Sequence, residues 1–570
     1  MILRAAWKAE AMMRERVRFC VRWRAWVLGS VILAAGMAGG CGARQRPEAR
    51  VEGSATRGTG ILRYIDQAWG ELTRMPTNCG AMVDPKLAPG ESVLYVPADQ
   101  ERTAEMKRDA ASCGVRIVAL PAGARAGEID PATLGTPGLL YLPHAYVVPG
   151  GRFNEMYGWD SFFIVEGLVE GAGDAGGADR VALARGMTEN FFYELEHYGA
   201  ILNANRSYYL TRSQPPFLTS MVLAVEGAVH GGAAEERAWL VEGYRAGQED
   251  WAFWNRAESK AGETGLARYY DYGSGPVPEM HDDPAYYENV VKKLAGMGEA
   301  GRPFLRAVRA GETGVPEAKV GGREVTLTDD FYKGDRAMRE SGFDVSFRFG
   351  AYGGATHHFA AVGLNALLYK EEGDLAGMAE RLGKTEEAAT WRGRAEKRKE
   401  AVDRYLWDAK SGMYFDYDFV AGKRSGYAFA TTFWPLWAGL ATPEQAQRVA
   451  GHLKDFERAG GLATSTTRTG VQWDYPYGWA PLQMLAVDGL RRYGFDGQAD
   501  ELAERWLRMI VENYRREGTL REKYDVVTRS ADVEVQVGYS QNVVGFGWTN
   551  GVFLKLLGEL PAGERAGVLR

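Results

Sequence analysis

The chain has 570 residues, 46% hydrophobic and 25% charged, the balance of a folded, water-soluble protein and not of a disordered chain, a collagen or a polytopic membrane protein. Lys and Arg number 68 against 74 Asp and Glu, a formal charge of −6 with no basic stripe, so nucleic acid is excluded as the expected partner. The length suits several domains of about 100–200 residues or one large helical toroid, and 72 glycines predict many turns between its elements.

In chain order, residues 1–24 carry Arg4, Lys8, Arg14, Arg16, Arg18, Arg22 and Arg24 against Glu10 and Glu15, and an apolar run over 25–40 follows. This is a secretory signal pattern. The run falls short of the about 18 residues a spanning helix needs, and Ala38-Gly39-Gly40 stands directly before Cys41. The ending resembles a bacterial lipoprotein box, so 1–40 is read as a signal peptide and Cys41 as a lipidated first residue, the only expected link to a membrane. Ordinary cleavage nearby is the alternative, and Met12 or Met13 is an alternative start. The protein is expected to be exported, in the periplasm or outer envelope. Residues 41–60 read as a flexible polar tether.

The two cysteines left in the body, Cys79 and Cys113, are candidates for one disulfide in an oxidising compartment. There is no CxxC and only 7 His, so no metal is expected; the neighbours His357 and His358 read as packing residues. Residues 61–140 form an N-terminal extension with strands at 92–96 and 115–120. From about 160 the apolar period is helical. Trp391, Ala395, Val402, Tyr405 and Leu406 share one stripe, as do Leu502, Trp506, Met509, Ile510 and Tyr514, and further helices fit 363–370 and 482–493. A hairpin strand over 413–417 follows the Lys410-Ser411-Gly412 turn. No linker divides 141–560, which reads as one all-α domain of helix pairs joined by long loops, a helical toroid.

Three of those loops look unlike scaffold: PGGRFNEMYGWDSFF at 149–163, NANRSYYLTRSQPPF at 203–217 and QWDYPYGWAP at 472–481. Each combines Trp and Tyr with Arg, Asp, Asn and Gln. Planar rings cover the CH faces of a sugar and bidentate polar groups read its hydroxyls.

At these residues the chain resembles the trehalases, family 37 of the glycoside hydrolases. Pro149-Gly150-Gly151-Arg152-Phe153 through Trp159-Asp160 matches the first signature of that family, and Gln472-Trp473-Asp474 through Trp479-Ala480-Pro481 the second. The likeness runs from about Tyr141 to Leu557, through Arg212-Ser213-Gln214-Pro215-Pro216, Glu340-Ser341-Gly342-Phe343-Asp344, Glu522-Lys523-Tyr524-Asp525 and Gly545-Phe546-Gly547-Trp548. It implies an (α/α)6 toroid that hydrolyses α,α-trehalose to two glucose molecules with inversion, without cofactor or metal. Such chemistry needs one protonated carboxyl for the leaving oxygen and one ionised carboxylate to activate water. The resemblance assigns Asp344 as general acid and Glu522 as general base. Apolar neighbours around Asp344 would favour its neutral form, and Arg521 and Lys523 flank Glu522. Carried over in the same way, Arg152, Phe153, Trp159, Asp160, Asn203, Arg212, Ser213, Gln214, Glu279, Gly342, Trp473 and Trp548 form the sugar-binding set.

Two positions depart from the family. Its Arg-Pro-Glu is Val277-Pro278-Glu279 here, and its sugar-binding Glu falls near Tyr539. Losing one member of a buried charge pair costs about 3–5 kcal/mol, so the joint loss suggests that the two were partners, with Glu534 a candidate replacement. Trehalose stays the first substrate. An α-glucosidase of the same fold with another substrate, its pocket altered by Val277 and Tyr539, is the first alternative, and a non-catalytic carbohydrate-binding lipoprotein the second.

Overall fold

A computed structural model describes residues 54–173, 176–229, 231–280, 283, 285–536 and 541–570, with side chains from Gly60 onward. The signal segment 1–40, Cys41 and Tyr539 lie outside the described residues. The helix Ser54–Leu72 takes up the last residues of the span read as tether. Its apolar face, with Ile61, Ile65, Trp69 and Leu72 buried, supplies the helical period that a reading for polarity overlooks.

Six helices form a closed inner ring: Gly158–Val169, Leu218–Ala228, Val362–Arg381, Trp434–Trp437, Ala480–Arg492 and Gly547–Glu559, each packing on the next and the last returning to the first. Outer helices follow them in sequence: Gly177–Tyr198, Ala233–Trp254, Thr385–Tyr405, Pro443–Gly451, Asp496–Glu517 and Ala562–Leu569. The alternation is an (α/α)6 toroid. Pro443–Gly451 reaches the ring through the 3-10 turn Ala430–Phe433, while Ala562–Leu569 rests on Asp496–Glu517 and on the N-terminal helix Ser54–Leu72.

The two rings differ in sequence because they differ in surroundings. Asp496–Glu517 is amphipathic, with Leu502, Trp506, Met509 and Ile510 buried as its apolar stripe predicts. Gly158–Val169 is buried almost all round and so carries no stripe to read. The ring closes where Gly167 meets Gly551: a Cβ on Gly167 would lie 2.2 Å from the Gly551 Cα, so both positions need a missing side chain.

In the N-terminal region the strand Val93–Val96 pairs in parallel with Arg116–Ala119 and Leu139–Leu140, and the helix Ala104–Ser112 connects the first two. Cys79 and Cys113 are bonded across this unit. The hairpin at Trp407–Asp408 and Met413–Tyr414 turns where the Lys-Ser-Gly triplet places it. Between the second and third inner helices, an antiparallel sheet of Leu305–Ala307, Arg323–Leu327 and Ala318–Val320 packs with the helix Ala285–Gly296 around a separate apolar cluster. No strand is expected there from the sequence; these strands are short and half-exposed, too polar to stand out.

Candidate active site

The N-terminal ends of the first, fifth and sixth inner helices, with loops from elsewhere in the chain, surround a cavity of roughly 380 Å³, within the size range of small-ligand sites, about 300–1,000 Å³. Trp159 and Asp160 open the first inner helix, Trp479 precedes the fifth and Trp548 begins the sixth.

Its floor is aromatic. Trp473 and Trp479 stack at 3.7 Å with their planes 9° apart. Trp548 stands edge-on to Trp479 at 5.8 Å, and Trp159 meets Trp548 at 5.7 Å, which locks each ring against the others. Gly342 fits against Trp159: its φ is +77°, and a Cβ there would come within 2.8 Å of the indole. Both the left-handed backbone and the close ring require glycine.

Asp344 and Glu522 both line this cavity. Asp344 follows the helix Asp329–Glu340, and its loop is pinned by the second signature. The Gln472 amide donates to the Asp344 carbonyl, the Trp473 N–H donates to the Val345 carbonyl at 3.2 Å, and Asp474 accepts from Ser346 Oγ and the Phe347 N–H. Burial lifts the Asp344 carboxyl; Arg339 and Arg212 pull it back, and it stands at about 7. Its side chain keeps 21% of its surface open and lies 3.5 Å from the Arg339 guanidinium.

Glu522 precedes the strand Lys523–Asp525, which pairs with Tyr477–Trp479. Its backbone N–H donates to Val543 and its carbonyl accepts the Trp548 indole N–H at 3.2 Å. The carboxylate pairs with Lys523 Nζ at 2.8 Å. Of the two flanking cations only Lys523 does so; Arg521 turns to Glu517 and the Asn542 carbonyl. Asp160 faces both carboxyls: burial lifts it well above its ordinary value, and Glu522 and then Asp344 add to the lift.

Arg152, Phe153, Asn203, Arg212, Gln214, Glu279, Gly342, Trp473 and Trp548 also line the cavity. Arg212 donates to Asn203 Oδ1 at 2.8 Å and is paired with Glu279. Burial works to raise the Glu279 carboxyl, yet Arg212 and Arg339 outweigh it and hold it below the ordinary value. Gln214 Oε1 accepts the Trp159 N–H at 3.0 Å. Ser213 alone of the set stands behind the wall: fully buried, it donates its hydroxyl to the Ile201 carbonyl and its N–H to Glu340.

Of the two departing positions, the one near Tyr539 lies outside the described residues. Val277 is fully buried in the separate apolar cluster and is not among the residues lining the cavity, and Glu279 is paired with Arg212, with Arg339 a second cation 3.9 Å from it. Glu534 lines a different hollow with Arg468 and Asp525 and replaces nothing in this one. Arg339, Tyr157, Tyr209 and Lys86 were missed. Arg339 had a signal, five residues before Asp344. Lys86 had none: it reaches the cavity from the N-terminal region, held by Glu155 Oε1 at 2.7 Å, and Glu155 in turn holds Arg206 at 2.9 Å.

Comparison with known proteins gives this arrangement a family. The trehalase family model matches residues 132–561. A probable trehalase of Eremothecium gossypii is 39% identical over 457 residues, covering 75% of this chain and 58% of that protein. The cytosolic neutral trehalase of Saccharomyces cerevisiae is 36% identical over 553 residues, covering 87% of this chain and 71% of its own. The chain thus spans less than two thirds of the length of the first of these relatives. The solved structure of neutral trehalase Nth1 from Saccharomyces cerevisiae superposes with a TM-score of 0.73 at 34% identity, over 90% of this chain and 96% of that one. These relatives also correct the expected location: those of Saccharomyces cerevisiae, Kluyveromyces lactis and Neurospora crassa are named as cytosolic, which overturns the reading of an exported periplasmic protein. By the family match and the relatives' identity together, the chain belongs to the trehalase family.

Proposed function

We propose that this protein hydrolyses α,α-trehalose to two glucose molecules by inversion, with Asp344 as general acid and Glu522 as general base. The observation that carries the reading is the pairing of environments in one cavity: a carboxyl raised to about 7 by burial and a carboxylate held by a lysine at 2.8 Å. The first can give a proton to the glycosidic oxygen near neutral pH, and the second can take one from water. Arg152, Arg212, Arg339, Asn203 and Glu279 supply the hydroxyl contacts, and the four tryptophans the apolar faces. The names of the relatives support trehalose as substrate and a cytosolic setting.

The test is glucose release by the purified protein from α,α-trehalose beside a panel of other α-glucosides, with Asp344→Asn and Glu522→Gln as controls. Release from trehalose, lost in both variants, is expected. Release only from another glucoside would overturn the substrate, and release undiminished in either variant would overturn the roles.

A further inference from the structure

Away from the cavity, the structure gathers three metal-ligating side chains on two elements. Asp330 lies in the first turn of the helix Asp329–Glu340, and His357 and His358 end the 3-10 turn Thr356–His358, which packs on that helix. Both imidazoles aim Nε2 at one carboxylate oxygen, Asp330 Oδ1, at 3.0 Å from His357 and 3.3 Å from His358. The three ligand atoms all lie within 4.8 Å of one another.

We propose that Asp330, His357 and His358 bind one divalent transition-metal ion of the zinc class. Tetrahedral zinc with bonds of about 2.0–2.1 Å places neighbouring ligand atoms about 3.3–3.4 Å apart, so the two N···O separations are close to the edges of such a site. Two imidazoles and a carboxylate are a donor set that zinc, copper and nickel accept and that calcium and magnesium do not favour. The His357 ring is buried, and its Nδ1 has no hydrogen-bond partner among the described residues, so its polar contacts lie on the side facing Asp330 and His358. The site opens outward: the Asp330 side chain is 51% exposed and that of His358 25%, which leaves a path for the ion and room for water as a further ligand.

The frame is rigid. A Cβ on Gly334 of the helix would meet the Gly354 carbonyl oxygen at 2.0 Å, so the helix and the segment leading to the histidines touch backbone to backbone. Arg268, a cation that acts on His357, is engaged: its guanidinium donates to the His357 and Glu258 carbonyls. Ligands on elements already in register need little reorganisation to close on an ion. Arg339 sits nine residues further along the same helix, about 13 Å away at 1.5 Å per residue. The ion would therefore brace the helix that carries Arg339 without touching the cavity, and the proposal stands or falls independently of the hydrolytic reading.

The experiment uses the full chain, stripped with a chelator and titrated with zinc while heat release and melting temperature are followed, with cobalt as a spectroscopic probe. Asp330→Asn and His358→Gln are partly exposed substitutions that should leave the metal-free melting temperature unchanged. Uptake of one zinc per chain, a raised melting temperature, a tetrahedral cobalt spectrum, and at least tenfold weaker uptake in both variants are expected. No uptake at micromolar zinc, or uptake unchanged in the two variants, would overturn the proposal. Should either variant lose its metal-free fold, His358→Ala with the cobalt spectrum decides: a retained tetrahedral band overturns the site and a lost one supports it.

Discussion

The two carboxyl walls of the cavity are built by different means. On one side Asp344 ends a loop hung from a helix, gripped through backbone hydrogen bonds by the Gln472-Trp473-Asp474 segment, and its charge is opposed by burial. On the other, Glu522 leads into a strand pair, with Lys523, itself fully buried, against its carboxylate. The side chains differ by one methylene. Burial raises the one against the pull of Arg339, 3.5 Å away, while the other lies 2.8 Å from Lys523 Nζ, a difference of the kind that the proposed donor and acceptor roles need.

The bluntest way to break that comparison is to remove each carboxyl in turn. Asp344→Asn and Glu522→Gln should each lower kcat by about 10²–10⁴-fold, measured as glucose release. Next in size is Arg339→Gln, which takes away a cation 3.5 Å from Asp344. It should cut kcat/KM by about 10–100-fold, since each 1.36 kcal/mol is tenfold. Removing a positive neighbour favours the neutral acid, so the alkaline limb of the pH profile, expected near 7 in the parent, should move upward. Gly342→Ala presses a methyl on Trp159 in a left-handed backbone; a destabilisation of about 1–3 kcal/mol is expected from urea unfolding.

The last prediction concerns stability and pH. A carboxyl raised in the folded state from 3.8 to about 7 costs stability as pH climbs between those values, because the folded protein releases its proton later than the unfolded chain. Asp344→Asn lacks this cost. Its melting temperature relative to the parent should therefore rise from pH 4 to pH 7 and then level off, as read by calorimetry across that range.

Much of this site was legible in the sequence because its residues sit in compact runs. Trp159-Asp160, Arg212 to Gln214 and Trp473 each arrive in a loop whose mix of rings and charges sets it apart from helix surface. What stayed hidden depends on three-dimensional neighbours. Lys86 belongs to a region with no sugar-site pattern, and only its ion pair with Glu155 brings it to the cavity. Arg339 has its place five residues before Asp344 as a signal, but only the fold turns it toward Glu279 and Asp344. Val277 stands in a buried apolar cluster that its motif alone does not reveal. The outer helices Thr385–Tyr405 and Asp496–Glu517 declared themselves by amphipathic stripes, and the inner helices Val362–Arg381 and Ala480–Arg492 were legible in part, whereas Gly158–Val169, buried almost all round, offered no stripe to read.

The most direct measurement is the anomeric form of the glucose at the moment of release from α,α-trehalose, followed by proton NMR before mutarotation mixes the products. Inversion at one anomeric carbon, with the other sugar leaving unchanged, predicts equal amounts of α- and β-glucose. Only α-glucose would mean retention through a covalent intermediate, and would contradict the assignment of Asp344 and Glu522 as an acid and base acting through water.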